Sequence, residues 1–90
     1  MKTKVVNCRK EKYDVYIGRP SPFGNPFIIG RDGTREDVIR KFKNKFYLWI
    51  SLKGNYYQSI LKLKGKTLGC YCKPLACHGD IIAEYLNKNE

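Results

Sequence analysis

The stretch "KTLGCYCKPLACHGDIIAEYL", residues 66–86, decides the fold. Residues 66–72 have strand character, and Pro74 breaks it by removing a backbone donor and fixing φ. From Cys77 onward the spacing is helical, with Ile81 or Ile82, Tyr85 and Leu86 facing inward. Cys72 is expected to be the last strand residue, and Cys77 and His78 to open the helix. A strand's carboxyl end and a helix's amino end would then meet across "KPLA" (73–76). In open parallel sheets ligands collect at that junction. Unpaired N–H groups and the positive helix end favour an anion there and lower a thiol's pKa.

The rest of the chain supplies the partners for this unit. "KVVN" (4–7) and "YDVYIG" (13–18) read as strands, the second with alternating Tyr13, Val15 and Ile17. Residues 19–27, "RPSPFGNPF", hold three prolines, which exclude a helix interior or a central strand and predict a rigid loop. Thr34 with Asp37 three residues on is a capping-box variant. It opens a helix of about five turns over 35–53, whose apolar side carries Val38, Ile39, Phe42, Phe46, Trp49 and Ile50. The opposite side carries Arg40, Lys41, Asn44 and Lys45. Gly54 ends that helix, and Asn55 caps a second over 56–64 with Tyr57, Ile60 and Leu61 inward. Strand–helix–strand order favours parallel pairing. The expected architecture is α/β: a single small Rossmann-like domain over 1–90, its short, mainly parallel sheet flanked by helices.

Composition narrows the function classes. Eighteen Lys+Arg against eight Asp+Glu give a formal net charge of +10 on 90 residues, a field that draws anions. No apolar run is long enough to span a bilayer or to form a signal-peptide core, so the expected location is the cytoplasm of a host cell. Four cysteines do not read as a disulfide framework here, because Cys70 and Cys72 are too close to bridge without strain.

Three of those cysteines and the single histidine lie within residues 70–78. Structural zinc suits the residue types Cys70, Cys72, Cys77 and His78, but adjacent Cys77 and His78 with no paired CxxC knuckle do not suit one tetrahedral ion. No metal ligands are therefore assigned, and zinc stays an alternative occupant. A reactive thiol with His78 as base is the second reading, and burial of cysteine as a small core side chain is the third. Cys70 is expected in the core, while Cys72 fits either role. Cys77, His78 and Asp80 form the candidate catalytic set. Cys8, at the end of the first strand, is expected to pack.

The proline loop supplies the facing side. Gly18 and Gly24 permit backbone geometries closed to other residues, and Arg19, Ser21 and Asn25 are donors suited to phosphate, ribose or a base edge. Phe23 can stack on a base. Arg31, Asp32 and Arg35 are placed to close the far wall, and an arginine at a helix amino end opposes the dipole, which gives Arg35 another employment. The candidate ligand-binding set is Gly18, Arg19, Ser21, Gly24, Asn25, Arg35, Cys72, Cys77, His78 and Gly79.

"VYIGRPSPFGNPFIIGRDGTREDVI" followed by "LKGKTLGCYCKPLACHGDIIAEYL" resembles an uncharacterised family of small phage and bacterial proteins. That family shares a YIGRxSxxGNPF loop and a closing CxCxPxxCH[GA]D motif. The resemblance covers nearly the whole chain and places Gly18, Arg19, Gly24, Asn25, Pro26, Cys70, Cys72, Cys77, His78 and Asp80 in the family pattern, with Cys8 outside it. It implies relatives without an activity.

Three functions follow as expectations. The first is a phage-type protein that clasps a nucleotide-derived, phosphate- or ribose-bearing molecule between the GRPSPFGNPF loop and the CHGD helix start, an anti-defence role if the ligand is a host immune signal. The second is a small enzyme cleaving a glycosidic or phosphate bond with Cys77, His78 and Asp80 at the same site. The third is a basic DNA- or RNA-binding host-takeover protein, with zinc on the cysteine cluster. A domain this small has little concave surface, so a homodimer with sites near its interface is also expected.

Overall fold

The computed structural model describes residues 2–88. In chain order the elements are β1 (Lys4–Asn7), β2 (Val15–Tyr16), α1 (Arg35–Ser51), α2 (Asn55–Leu61), β3 (Thr67–Cys70) and α3 (Gly79–Lys88). The sheet has three strands in the order β1-β3-β2, and β3 is parallel to both neighbours. The protein is thus a small α/β domain, with the parallel sheet that the strand–helix order predicts. Central β3 buries Leu68, Gly69 and Cys70, as a strand flanked on both edges and covered by helices must. Gly69 is required there by a close approach: a Cβ would stand 2.6 Å from Cγ of Tyr13.

β2 is shorter than the 13–18 read from alternation. Asp14 completes its pairing instead, its N–H donating to the Thr67 carbonyl and its carboxylate accepting the Thr67 N–H, each at 2.8 Å. β3 also ends earlier than expected, at Cys70 rather than Cys72. Cys77 and His78 do not open α3, which begins at Gly79. Cys77 and His78 form the turn before it, their carbonyls accepting i→i+3 bonds from the Asp80 and Ile81 N–H groups at 3.0 Å.

The capping box of α1 is complete. Thr34 Oγ1 accepts from the Asp37 N–H at 3.3 Å, and the Asp37 carboxylate accepts from the Thr34 N–H at 2.9 Å. The helix buries Val38, Phe42, Phe46 and Ile50, while Ile39 and Trp49 are half-buried. Phe42 and Phe46 stack at 5.8 Å, and Phe46 meets the edge of Tyr85 from α3 at 5.6 Å. At the next turn Gly54, not Asn55, is the N-cap of α2, because Lys53 takes the left-handed conformation that reverses the chain. α2 buries Ile60 but ends at Leu61, which is exposed; Leu63 in the following turn enters the core in its place. α3 buries Ile82, Ala83 and Leu86. Thr3 ties the chain start to α3 through reciprocal 2.9 Å bonds with the Asn87 amide.

α3 approaches the sheet so closely that only glycine fits at its first position. A Cβ on Gly79 would lie 2.5 Å from Cδ1 of fully buried Ile17 and 3.2 Å from Val5. Gly79→Ala overpacks this contact and is expected to lower stability by about 1–3 kcal/mol. Urea unfolding checks it: the midpoint should fall with the slope unchanged.

Candidate ligand-binding site

The carboxyl end of β3, the loop after β2 and the start of α1 enclose a cavity of about 430 Å³, within the size range of small-molecule sites. Its floor is Cys70, Cys72, Cys77 and His78; Tyr16, Gly18, Arg19 and Asn25 form one side. Phe27, Ile28, Ile29, Arg35, Val38 and Ile39 form the other, with Tyr71 and Ala76 at the rim. The lining carries two guanidinium groups and no carboxylate, so an anion entering it meets two cations and no acid on the wall.

Local geometry fixes these walls. The Ser21 N–H donates to the Gly18 carbonyl and the Gly24 N–H to the Ser21 carbonyl, winding the proline loop into successive turns. Asn25 pins that loop to α1: its Nδ2 donates to the Val38 carbonyl at 3.1 Å and its Oδ1 accepts from the Phe27 N–H at 2.9 Å. Both ends of the amide are thereby engaged, so Asn25 lines the cavity as a positioning residue. Arg19 makes one long contact, 3.5 Å to the Asn25 carbonyl, and Arg35 one bond, 3.2 Å to the Ala76 carbonyl. Each guanidinium has five N–H donors, so both retain donors for a ligand.

At the floor, His78 Nε2 lies 2.8 Å from the Ile17 carbonyl. A carbonyl only accepts, so Nε2 carries the proton and Nδ1 presents its lone pair. That lone pair faces Cys77 Sγ at 3.6 Å. Burial pushes the His78 pKa down, which keeps the ring neutral, and Phe42 holds it edge-on at 5.1 Å.

Cys77 Sγ donates to Cys70 Sγ at 3.0 Å and accepts the Gly79 N–H at 3.3 Å. The Cys77 thiol proton, together with the Lys73 and Cys72 backbone N–H groups, holds Cys70 below the usual thiol range. The same hydrogen bond, with burial, pushes Cys77 up. The thiol most ready to ionise is therefore Cys70, read from sequence as a core side chain, rather than Cys77 at the helix start.

Other candidates lie outside the cavity lining. Ser21 Oγ accepts the Phe23 N–H at 3.3 Å, Gly24 sits against the Arg19 backbone, and Gly79 packs on Ile17 and Val5. Phe23 packs half-buried on the core instead of facing a ligand. Asp80 accepts the Cys77 N–H at 3.1 Å and pairs with Lys73, so its carboxylate closes the loop. Arg31 and Asp32 pair with each other at 2.8 Å, leaving Arg35 as the cation of the far wall. Cys8 N–H donates to the Cys70 carbonyl at 2.9 Å, which sets that thiol in a separate shallow cleft. Among the described residues no three His, Cys, Asp or Glu side chains are disposed to hold a metal ion.

The cavity residues that sequence reasoning missed are mostly hydrophobic: Tyr16, Tyr71, Phe27, Ile28, Ile29 and Ile39. Alternation does place Tyr16 and Tyr71 opposite the core side chains Ile17 and Cys70. Nothing in "FII" distinguishes a cavity wall from a core segment.

Fold and site together define a small parallel α/β domain with a cationic cavity at the carboxyl edge of its sheet. By its sequence the chain belongs to the family described as domain of unknown function DUF4326, whose model matches residues 2–88. It is 44% identical over 87 residues to the uncharacterized 12.4 kDa protein in the nrdA-td intergenic region of Enterobacteria phage T4, covering 94% of this chain and 78% of that one. It is 31% identical over 98 residues to an uncharacterized protein of Acanthamoeba polyphaga mimivirus, covering 89% of this chain and 68% of the other. No solved structure matches it. Among the described residues no helix is long and apolar enough to cross a membrane.

Because Cys77 is the donor that stabilises the Cys70 thiolate, Cys77→Ala removes that donor and should raise the Cys70 pKa. Thiolate absorbance near 240 nm, followed against pH, reads this directly. The component that Cys70→Ala eliminates is expected to appear at lower pH than an ordinary thiol in the parent protein, and at clearly higher pH in Cys77→Ala.

Proposed function

We propose that the protein binds a nucleotide-derived small molecule, carrying phosphate or ribose, in the cavity between the proline loop and the cysteine–histidine loop. The observation that carries this reading is the lining: two arginines with donors to spare, no carboxylate, and aromatic and aliphatic side chains around them. Guanidinium pairs phosphate in charge-assisted hydrogen bonds. Tyr16, Tyr71 and Phe27 offer ring faces and edges to a base. Binding alone is enough to sequester such a molecule, which suits a small viral protein that withholds a host signal.

Arg35 makes the reading testable without confounding stability. It stands in the first turn of α1, where a cation opposes the helix dipole. Arg35→Ala relieves that opposition while losing one exposed bond to the Ala76 carbonyl, so thermal stability should change little. Calorimetry against nucleoside monophosphates, cyclic nucleotides and ADP-ribose should show binding by the parent protein. Arg19→Ala and Arg35→Ala should each weaken it about 10–100-fold, the worth of a hydrogen bond to a charged group. Parent-like affinity in both variants would remove the cavity from consideration.

The His78 Nδ1 lone pair 3.6 Å from Cys77 Sγ favours a second reading, in which the Cys77 thiol proton turns from Cys70 to His78 and the same cavity cleaves a glycosidic or phosphate bond. A His–Cys pair is the arrangement that activates a thiol nucleophile. In that case chromatography of the incubated ligand would detect a product, and Cys77→Ala and His78→Ala would each stop its formation while binding persists. Unchanged ligand after incubation with the parent protein leaves binding as the function.

A further inference from the structure

Beside the cavity lies a second feature, built by residues 7–13. Asn7 caps a tight turn: its carbonyl accepts from the N–H groups of Lys10 and Glu11, and its Oδ1 accepts from the Arg9 N–H at 2.9 Å. The Asn7 amide Nδ2 reaches across to the Lys73 carbonyl at 2.7 Å. The turn is therefore fastened to the loop that floors the cavity. Residues 8–13 line an open cleft of about 510 Å³ that presents Arg9, Lys10 and Lys12 against one acid, Glu11.

Tyr71 joins the two features. It lines the cavity rim, meets Tyr16 edge-on at 5.8 Å, and carries the Arg9 guanidinium over its ring at 4.8 Å. More than half of Tyr71 is exposed (55%), and Tyr13 in the cleft is also open to solvent (43%). An aromatic shelf thus leads from a cationic cavity to a cationic turn. The sequence conceals it, because Arg9 and Tyr71 are far apart in the chain.

We propose that the cavity takes one nucleotide of a single-stranded nucleic acid, whose chain continues over Tyr71 into the basic cleft of residues 8–13. This rests on the cavity being a nucleotide site. A free mononucleotide has no use for a rigid basic turn next to its pocket. A continuing phosphodiester chain meets cations at Arg9, Lys10 and Lys12 and the exposed parts of the Tyr71 and Tyr13 rings, the pairing of charge with stacking that non-specific single-strand binders use.

The test compares a fluorescently labelled oligothymidylate of about eight nucleotides, a duplex of equal length and thymidine 5′-monophosphate. The parent protein and a triple variant (Arg9→Ala, Lys10→Ala, Lys12→Ala) are titrated by anisotropy for the oligomers and by calorimetry for the monophosphate. These three side chains are exposed, so the variant is expected to fold. The oligomer should bind the parent at least about 10-fold more tightly than the monophosphate. The triple variant should lose that advantage and reduce the slope of log affinity against log salt by about 2, as three lost phosphate contacts require. Its affinity for the monophosphate should stay at the parent value.

An oligomer no tighter than the monophosphate, or one that binds the triple variant equally well, overturns the strand inference and leaves the cavity reading standing. Duplex binding as tight as single-strand binding also overturns it. If neither oligomer nor monophosphate binds, the cavity reading falls and the strand inference falls with it.

Discussion

Parallel pairing on both sides of β3 is the constraint from which the site follows. A parallel strand cannot return through a hairpin, so all three strands must release their chain at the same edge of the sheet. The basic turn after β1, the proline loop after β2 and the cysteine loop after β3 are brought together by that rule alone. Their union is secured by contacts at the edge itself: Cys8 N–H to the Cys70 carbonyl, Ile17 N–H to the Gly69 carbonyl, and His78 Nε2–H to the Ile17 carbonyl. Each is a bond between two of the three loops or their strand ends. The cavity is the space they leave.

The floor of that space is polar yet buried, an arrangement that lasts only if its groups satisfy one another. His78 donates to a backbone carbonyl, Cys77 receives a backbone N–H, and the Cys77 thiol donates to Cys70. Burial makes the charged imidazole costly, so its effect is to hold His78 neutral rather than to activate it as an acid. Negative charge is better tolerated at Cys70, which accepts the Cys77 thiol hydrogen bond, than at Cys77, whose proton is engaged in that bond. Hydrogen-bond direction, more than nearness to the helix amino end, decides which thiol ionises.

The sequence made local structure legible at several points where a side chain acts on its own backbone, although Asn55, expected to cap α2, does not. Thr34 and Asp37 announced α1, β1 was readable from its β-branched pair, and the loop 19–27 from its prolines. It was less informative where a residue's role depends on a distant neighbour. Gly79 and Ser21 were read as ligand contacts, yet one is small because Ile17 crowds it and the other turns the loop. Asp80 carries a carboxylate suited to catalysis, but Lys73 and the Cys77 N–H occupy it. Tyr71 went unnoticed because its partners, Tyr16 and Arg9, lie 55 and 62 positions away.

The cationic lining is not an automatic consequence of a +10 chain. Two acids stand next to the cavity wall, Asp32 in the loop before α1 and Asp80 in the first turn of α3. Asp32 accepts the Ile28 N–H at 2.8 Å and pairs with Arg31. Those contacts, with the Arg31 hydrogen bond foremost, hold its pKa below the ordinary carboxylate range. Asp80 is turned to Lys73 and the Cys77 N–H in the same way. Elsewhere Asp14 aligns β2 with β3, and Asp37 caps α1. Each of these carboxylates answers a backbone N–H, and none projects into the cavity. Arg19 and Arg35 have only one carbonyl contact each and stay on the lining. Acids used as backbone locks around arginines left largely unengaged are what give the cavity its positive lining.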